Sequence, residues 1–192
     1  MVNSAAENVG LNDVKLRNLK IGYTKIETPG GKETATYPFD CLCFVANGSG
    51  YASAGGKTWN DLSRGTALYV KNGEEVTFVS CGDDEFEIYS VTADTYGNAK
   101  FFTEIGFSDD KRLSSLGGET TMVEDLYKTA LKGTEASAYE CVGKFFEIIA
   151  YFAKTSDTEE KHKTDENEYI AKAKEFIHMQ YHLDINVTTV AE

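Results

Sequence analysis

The chain has no histidine before His162, and only His178 and His182 follow it. Imidazole–carboxylate metal chemistry, which needs several such ligands converging on one ion, is therefore absent from most of the sequence. A serine nucleophile paired with a histidine base is excluded on the same ground. Cations are also scarce. Against 31 Asp and Glu stand 19 Lys and Arg, for a net charge of −12. Nucleic-acid affinity depends on Lys and Arg displacing counterions, so this chain alone is expected to bind DNA poorly. No apolar run nears the length of about 18 residues that suggests a membrane span. The start, MVNSAAENVGLND, lacks a basic segment followed by an apolar one, so no secretory signal is expected and a soluble cytoplasmic protein is. The four cysteines, Cys41, Cys43, Cys81 and Cys141, form no CxxC pair and read as reduced structural thiols. Cys41 and Cys43 share one face of an expected strand, where small buried residues fit. The glycine-rich stretches lack the Lys-Ser/Thr of a phosphate loop.

What is present is a run of short β-prone segments. Strands are expected at 19–26, 40–46, 50–54, 57–60, 66–70, 76–81 and 85–93. Between them lie Asn47-Gly48-Ser49-Gly50, Gly55-Gly56, Arg64-Gly65, Asn72-Gly73 and Gly82-Asp83-Asp84, which supply the turns that hairpins need. Even spacing of such strands predicts a sandwich or barrel. After about residue 115 the period becomes helical. Residues 120–132 form an amphipathic pattern, Gly133 ends it, and Thr134 is placed to cap a second helix reaching about Lys154. In that helix Val142, Phe145, Ile149 and Phe152 form an apolar stripe, widened by Cys141, Phe146 and Ile148. So broad a stripe needs cover on two sides, one from the β domain and the other from a second copy of the chain, with Val142, Phe145, Ile149 and Phe152 the expected dimerisation residues. Residues 155–168 are charged and read as a linker. Beyond them Ile170, Ala173, Ile177 and Tyr181 recur at helical spacing, and a short turn leads to Ile185, Val187, Val190 and Ala191.

That terminal segment, Tyr169-Ile170 through Val190-Ala191-Glu192, resembles the opening of the DNA-binding domain of AraC-type transcription regulators. The stretch Leu62 to Val70 followed by Asn72-Gly73-Glu74 resembles the turn-Gly-strand element of the same family, with Arg64 and Thr66 where Pro and Asp usually flank the glycine. The resemblance implies a fold class of α+β, mainly β: a cupin-like jelly-roll β-barrel, a C-terminal helical pair, and a truncated helix-turn-helix segment. The implied division is a sensor barrel with an N-terminal arm over 1–115, a dimerising helical pair over 116–154, the linker over 155–168, and an incomplete DNA-binding domain over 169–192. It implies the sensing half of a regulator rather than an enzyme. A small molecule, sugars among the candidates, would occupy the barrel and bias a homodimer. DNA would be engaged only through the complete full-length protein, and no membrane is involved.

Comparison with sugar-responsive members of that family puts Thr24, Phe78 and Ser90 near ligand-contacting positions. Their arginine has no counterpart here, the local residues being Ala35, Thr36 and Tyr37. Alternation within 85–93 points Phe86, Ile88, Ser90 and Thr92 inward, and within 76–81 it groups Val76, Phe78 and Ser80. Trp59, Tyr51 and Tyr69 are further aromatic candidates, with core packing the alternative for each. No catalytic residue, metal ligand or cofactor is expected. The pairs Asp83-Asp84 and Glu74-Glu75 fall in turns as solvated charges, and His178 with His182 lacks a third ligand. Two rival readings are a metal-free cupin enzyme, such as a sugar isomerase or epimerase using Glu and Tyr, and a pure oligomerisation module with a solid barrel.

Overall fold

The computed structural model describes residues 17–56, 58–95 and 100–155. Among these residues nine strands run in order: β1 (Arg17–Ile26), β2 (Lys32–Thr36), β3 (Cys41–Asn47), β4 (Ser49–Ala54), β5 (Trp59–Ser63), β6 (Thr66–Val70), β7 (Glu75–Cys81), β8 (Phe86–Asp94) and, after a short helix α1 (Phe101–Glu104), β9 (Leu113–Ser115). Helix α2 (Thr121–Ala130) follows, and α3 covers residues 135–155. The expected N-terminal arm, most of the linker and the helix-turn-helix segment lie outside the described residues.

The strands form two antiparallel sheets, ordered β1-β8-β3-β6-β9 and β2-β7-β4-β5. Leaving β9 aside, this interleaving of eight strands across two sheets is the jelly-roll order, the arrangement of cupins. The chain is thus mainly β with helices appended, as expected. Strand β2 was not foreseen because its sequence, KETAT, is polar, and it is an edge strand with four of five residues exposed. Its place is fixed by pairing with β7, from Lys32 opposite Val79 to Thr36 opposite Glu75. No helix among the described residues is long and apolar enough to cross a membrane.

Two cores share the larger sheet. Between the sheets lie Cys41, Cys43 and Val45 of β3, Leu68 and Val70 of β6, and Phe86 and Ile88 of β8, against Ala52, Leu62, Val76 and Phe78 from the smaller sheet. On the outer face, Leu42, Phe44, Ala67, Tyr69, Val91 and Ala93 meet α1, α2 and α3. Strand β3 is therefore buried on both faces from Cys41 to Val45, which erases the alternation a half-buried strand would display.

Gly133, with φ of +63°, closes α2. At the start of α3 the expected Thr134 cap is part of a reciprocal pair. The Ser137 amide donates to Thr134 Oγ1 at 3.1 Å, and the Thr134 amide donates to Ser137 Oγ at 3.0 Å. The apolar stripe expected to meet a second copy divides. Phe145, Ile149 and Phe152 are buried in the core of their own chain, with Cys141 and Ile148, and so face the β sheet. Only Val142 of the four remains exposed. The large residues of the stripe are taken up by the interface with the sheet, which needs them to cover the outer faces of β3, β6 and β8.

Candidate functional site

The site is built on the β1–β8–β3 part of the jelly roll, where three strands turn polar side chains toward the facing sheet. Thr24 lies opposite Ile88, and Gly22 opposite Ser90, which itself lies opposite Cys43. Because Ile26, Cys43 and Ile88 belong to the inter-sheet core, the two-residue period puts Thr24, Gly22 and Ser90 on that same face. Phe78 comes from the smaller sheet and is 2% exposed. The structure therefore brings Thr24, Ser90 and Phe78 to one interior.

Tyr37, which follows β2, completes this niche. The Cys43 thiol donates to Tyr37 Oη at 3.8 Å, and the Tyr37 hydroxyl also bonds the Ser90 side chain. Burial, chiefly, raises the Tyr37 pKa, so the phenol keeps its proton. Tyr37 occupies the stretch where the sugar-responsive pattern would carry arginine, and no periodicity around it marks its ring as turned inward. Among the described residues, a β-carbon added at Gly22 would meet only Ser90 Oγ, at 2.7 Å. The equivalent addition at Gly50 would strike the Val79 carbonyl and the Phe86 ring. The interior is thus tightly filled by backbone and ring around β4 and β7, whereas beside Gly22 the close neighbour is the Ser90 hydroxyl.

No buried side-chain polar atom among the described residues lacks a partner. Tyr37, Cys43 and Ser90 satisfy one another, and a guest would have to replace those bonds. A thiol is a weak donor, so the Cys43 bond is the least costly to give up. No group of three or more His, Cys, Asp or Glu among the described residues could hold a metal ion.

Three aromatic residues expected as ligand contacts lie elsewhere. Tyr69 faces the helices, not the inter-sheet space: its ring stacks on Phe102 with centroids 5.1 Å apart. Burial, and then the nearby charge of Asp40 and a hydrogen bond to it, raise its pKa. Leu68 and Val70 take the inward positions of β6. Trp59 is 54% exposed on β5, because the inward residue of that strand is Leu62. Tyr51 is likewise exposed.

Directly behind the niche is a tyrosine cluster. Tyr23 and Tyr89 are cross-strand partners on the outer face of β1 and β8, and both contact Tyr127 of α2, at centroid distances of 5.8 and 5.1 Å. Burial and the carboxylate of Glu87 push the Tyr23 pKa up to about 12. Beside this cluster a groove of about 740 Å³ separates β1 from the α2–α3 turn, lined by Leu19, Ile21, Leu126, Ala130 and Val142 among others.

No protein-family model matches the chain, and no curated protein matches it. Partial likenesses exist among solved structures. A protein from Bacillus halodurans is 18% identical, with a TM-score of 0.36 over 39% of this chain and 61% of that one. A predicted oxalate decarboxylase from Thermotoga maritima is 18% identical, with a TM-score of 0.33 over 37% of this chain and 62% of that one. A cupin superfamily protein from Desulfitobacterium hafniense is 16% identical, with a TM-score of 0.34 over 44% and 71%. The chain spans less than two thirds of the first two of these structures.

Proposed function

We propose that the chain is the ligand-sensing and dimerising part of an AraC-type transcription regulator, taking a small neutral polar molecule, with carbohydrates the first class to test, between its two sheets. One observation carries the reading: β1 and β8 are two-faced. Thr24 and Ser90 look into the niche, while their neighbours Tyr23 and Tyr89 grip Tyr127 of α2 on the other side. A guest that moves these strands moves the helix pair with them. The groove beside β1 leaves the helical turn room to respond. Such signalling requires that the guest bind one arrangement of strands and helices better than the other.

The niche itself supports binding over acid–base chemistry. Tyr37 keeps its proton, and its partners are Cys43 and Ser90 rather than a carboxylate. Beside the core-facing stripe, α3 carries Tyr139, Gly143 and Ala150, exposed, with Phe146 and Ala153, partly packed on the core, at alternating spacings of four and three, the period of a two-helix seam. Tyr139 is 73% exposed there. This seam is the surface proposed for the homodimer, and DNA contact is assigned to the complete protein.

A thermal-shift screen of neutral carbohydrates and small polar metabolites tests the sensing role. A ligand present at a hundred times its dissociation constant should stabilise the chain by about 2.7 kcal/mol. Removing one hydroxyl, by Ser90→Ala or Tyr37→Phe, should weaken that ligand about tenfold, since one hydrogen bond contributes about 1 kcal/mol or somewhat more. A ligand whose affinity neither substitution changes would overturn the assigned site.

A further inference from the structure

The sulfurs of Cys41 and Cys43 lie 3.7 Å apart inside the sandwich, on residues that are 0% and 1% exposed. Both cysteines are free. Positions two apart on a strand separate their Cα atoms by about 6.6 Å. Their parallel side chains keep the Cβ atoms about as far apart, whereas a disulfide needs about 3.8 Å. A direct bond would therefore require β3 to buckle, and β3 is held on both edges by β6 and β8.

A bridging atom makes no such demand. With bonds of about 2.3 Å, typical of zinc and thiolate, sulfurs 3.7 Å apart subtend about 107° at the bridge. A linear two-coordinate ion with the same bonds would need the sulfurs about 4.6 Å apart. A tetrahedral zinc ion fits the angle but needs further ligands, and the described residues offer no third Cys, His, Asp or Glu beside the pair. A trivalent centre that brings its own third substituent needs only these two sulfurs from the protein.

We propose that Cys41 and Cys43 form a chelating site for a monosubstituted trivalent arsenical, inside the jelly roll and closed off at the β2 end by Tyr37. The reaction balances without an oxidant or reductant. Each thiol gives up its proton, two sulfur–arsenic bonds form, the arsenic–oxygen bond of R–As=O breaks, and the oxygen leaves as water with arsenic still trivalent. The product carries no net charge. That suits an interior where burial raises the Cys41 pKa well above the ordinary thiol value and so penalises a lone thiolate. Tyr37 is only partly buried. Its bond to Cys43 is a weak thiol contact that entry of the arsenical would break.

The test uses phenylarsine oxide on the folded chain, read by intact mass and thiol titration. The expected result is one phenylarsenic group gained with loss of water, and two of the four thiols silenced. The adduct should resist excess monothiol and be removed by a dithiol, because only a two-point bridge has that selectivity. The Cys81→Ser/Cys141→Ser variant should keep the adduct, while Cys41→Ala and Cys43→Ala should each lose its monothiol resistance. Should either alanine variant fail to fold, peptide mapping of the wild-type adduct takes its place and must locate arsenic on the peptide holding both residues. A resistant adduct that survives Cys41→Ala, arsenic mapped to another cysteine, or no adduct on the folded chain would overturn the proposal.

Discussion

Arg112 holds Glu74 with both terminal nitrogens: Nη2 donates to Oε1 at 3.0 Å, and Nη1 donates to Oε2. The pair joins the segment before β9 to the β6–β7 turn, where the Lys71 amide also donates to Glu74 Oε2 at 3.3 Å. Both side chains are mostly shielded, 11% and 21% exposed. Hydrogen bonds to charged groups contribute about 1.5–3 kcal/mol. Arg112→Ala should lower unfolding free energy by about that amount in denaturant titrations.

The same pair has a pH signature. The Arg112 hydrogen bond lowers the Glu74 pKa against the opposing effect of burial. A depressed folded-state pKa adds stability above the unfolded value of about 4.3, and that stability is lost as pH falls through the lower folded value. Between neutral pH and about 5 the contribution is constant. Below about 4.3 the wild type should lose stability more steeply than Glu74→Gln, measured as denaturant midpoint against pH.

Phe152 is fully buried, stacked near Phe44 at 6.2 Å and edge-on to Phe107 at 5.1 Å. Phe152→Ala should cost about 3–5 kcal/mol. Val142→Ala, on the exposed side of the same helix, should stay within about 0.5 kcal/mol for the isolated chain. Equal losses at both positions would show that the helix is packed differently.

The proposed seam on α3 separates association from folding. Tyr139→Glu combined with Ala150→Glu should yield monomers in sedimentation velocity with an unchanged circular dichroism spectrum. Phe145→Asp should unfold the chain instead, because it places a charge in the core without a partner. A double variant that still sediments as a dimer would exclude this seam.

Gly50 should not tolerate alanine. Its β-carbon would lie 2.4 Å from the Val79 carbonyl oxygen and 2.6 Å from the Phe86 ring. Overpacking of this kind costs about 1–3 kcal/mol. Gly73→Ala meets nothing within 4 Å and should pay only for its positive φ of +74°.

Strands with one wet face were legible in the sequence. In β7, Val76, Phe78 and Ser80 alternate with more exposed neighbours, and the inward set followed directly. Where both faces are dry, the period-two signal is lost. Sequence could not say whether Tyr69 or Leu68 faces the inter-sheet core, since both are buried. Trp59 attracted attention by its chemistry, but its facing was set by Leu62 three residues on. The breadth of the apolar stripe on α3 did not tell which of its residues belong to the sheet, since residue size alone does not fix how the helix is rotated. Tyr37 was invisible as a site residue because its role depends on β2, whose polar sequence carries no strand signature.

Strand β8 has dry neighbours above and below over Val91 to Ala93, one layer from the inter-sheet core and one from the helices. Neither layer can loosen there without stripping protection from the other. Deuterium should therefore reach these central amides only when the whole molecule opens, so that the sandwich and its helical cover melt as one unit.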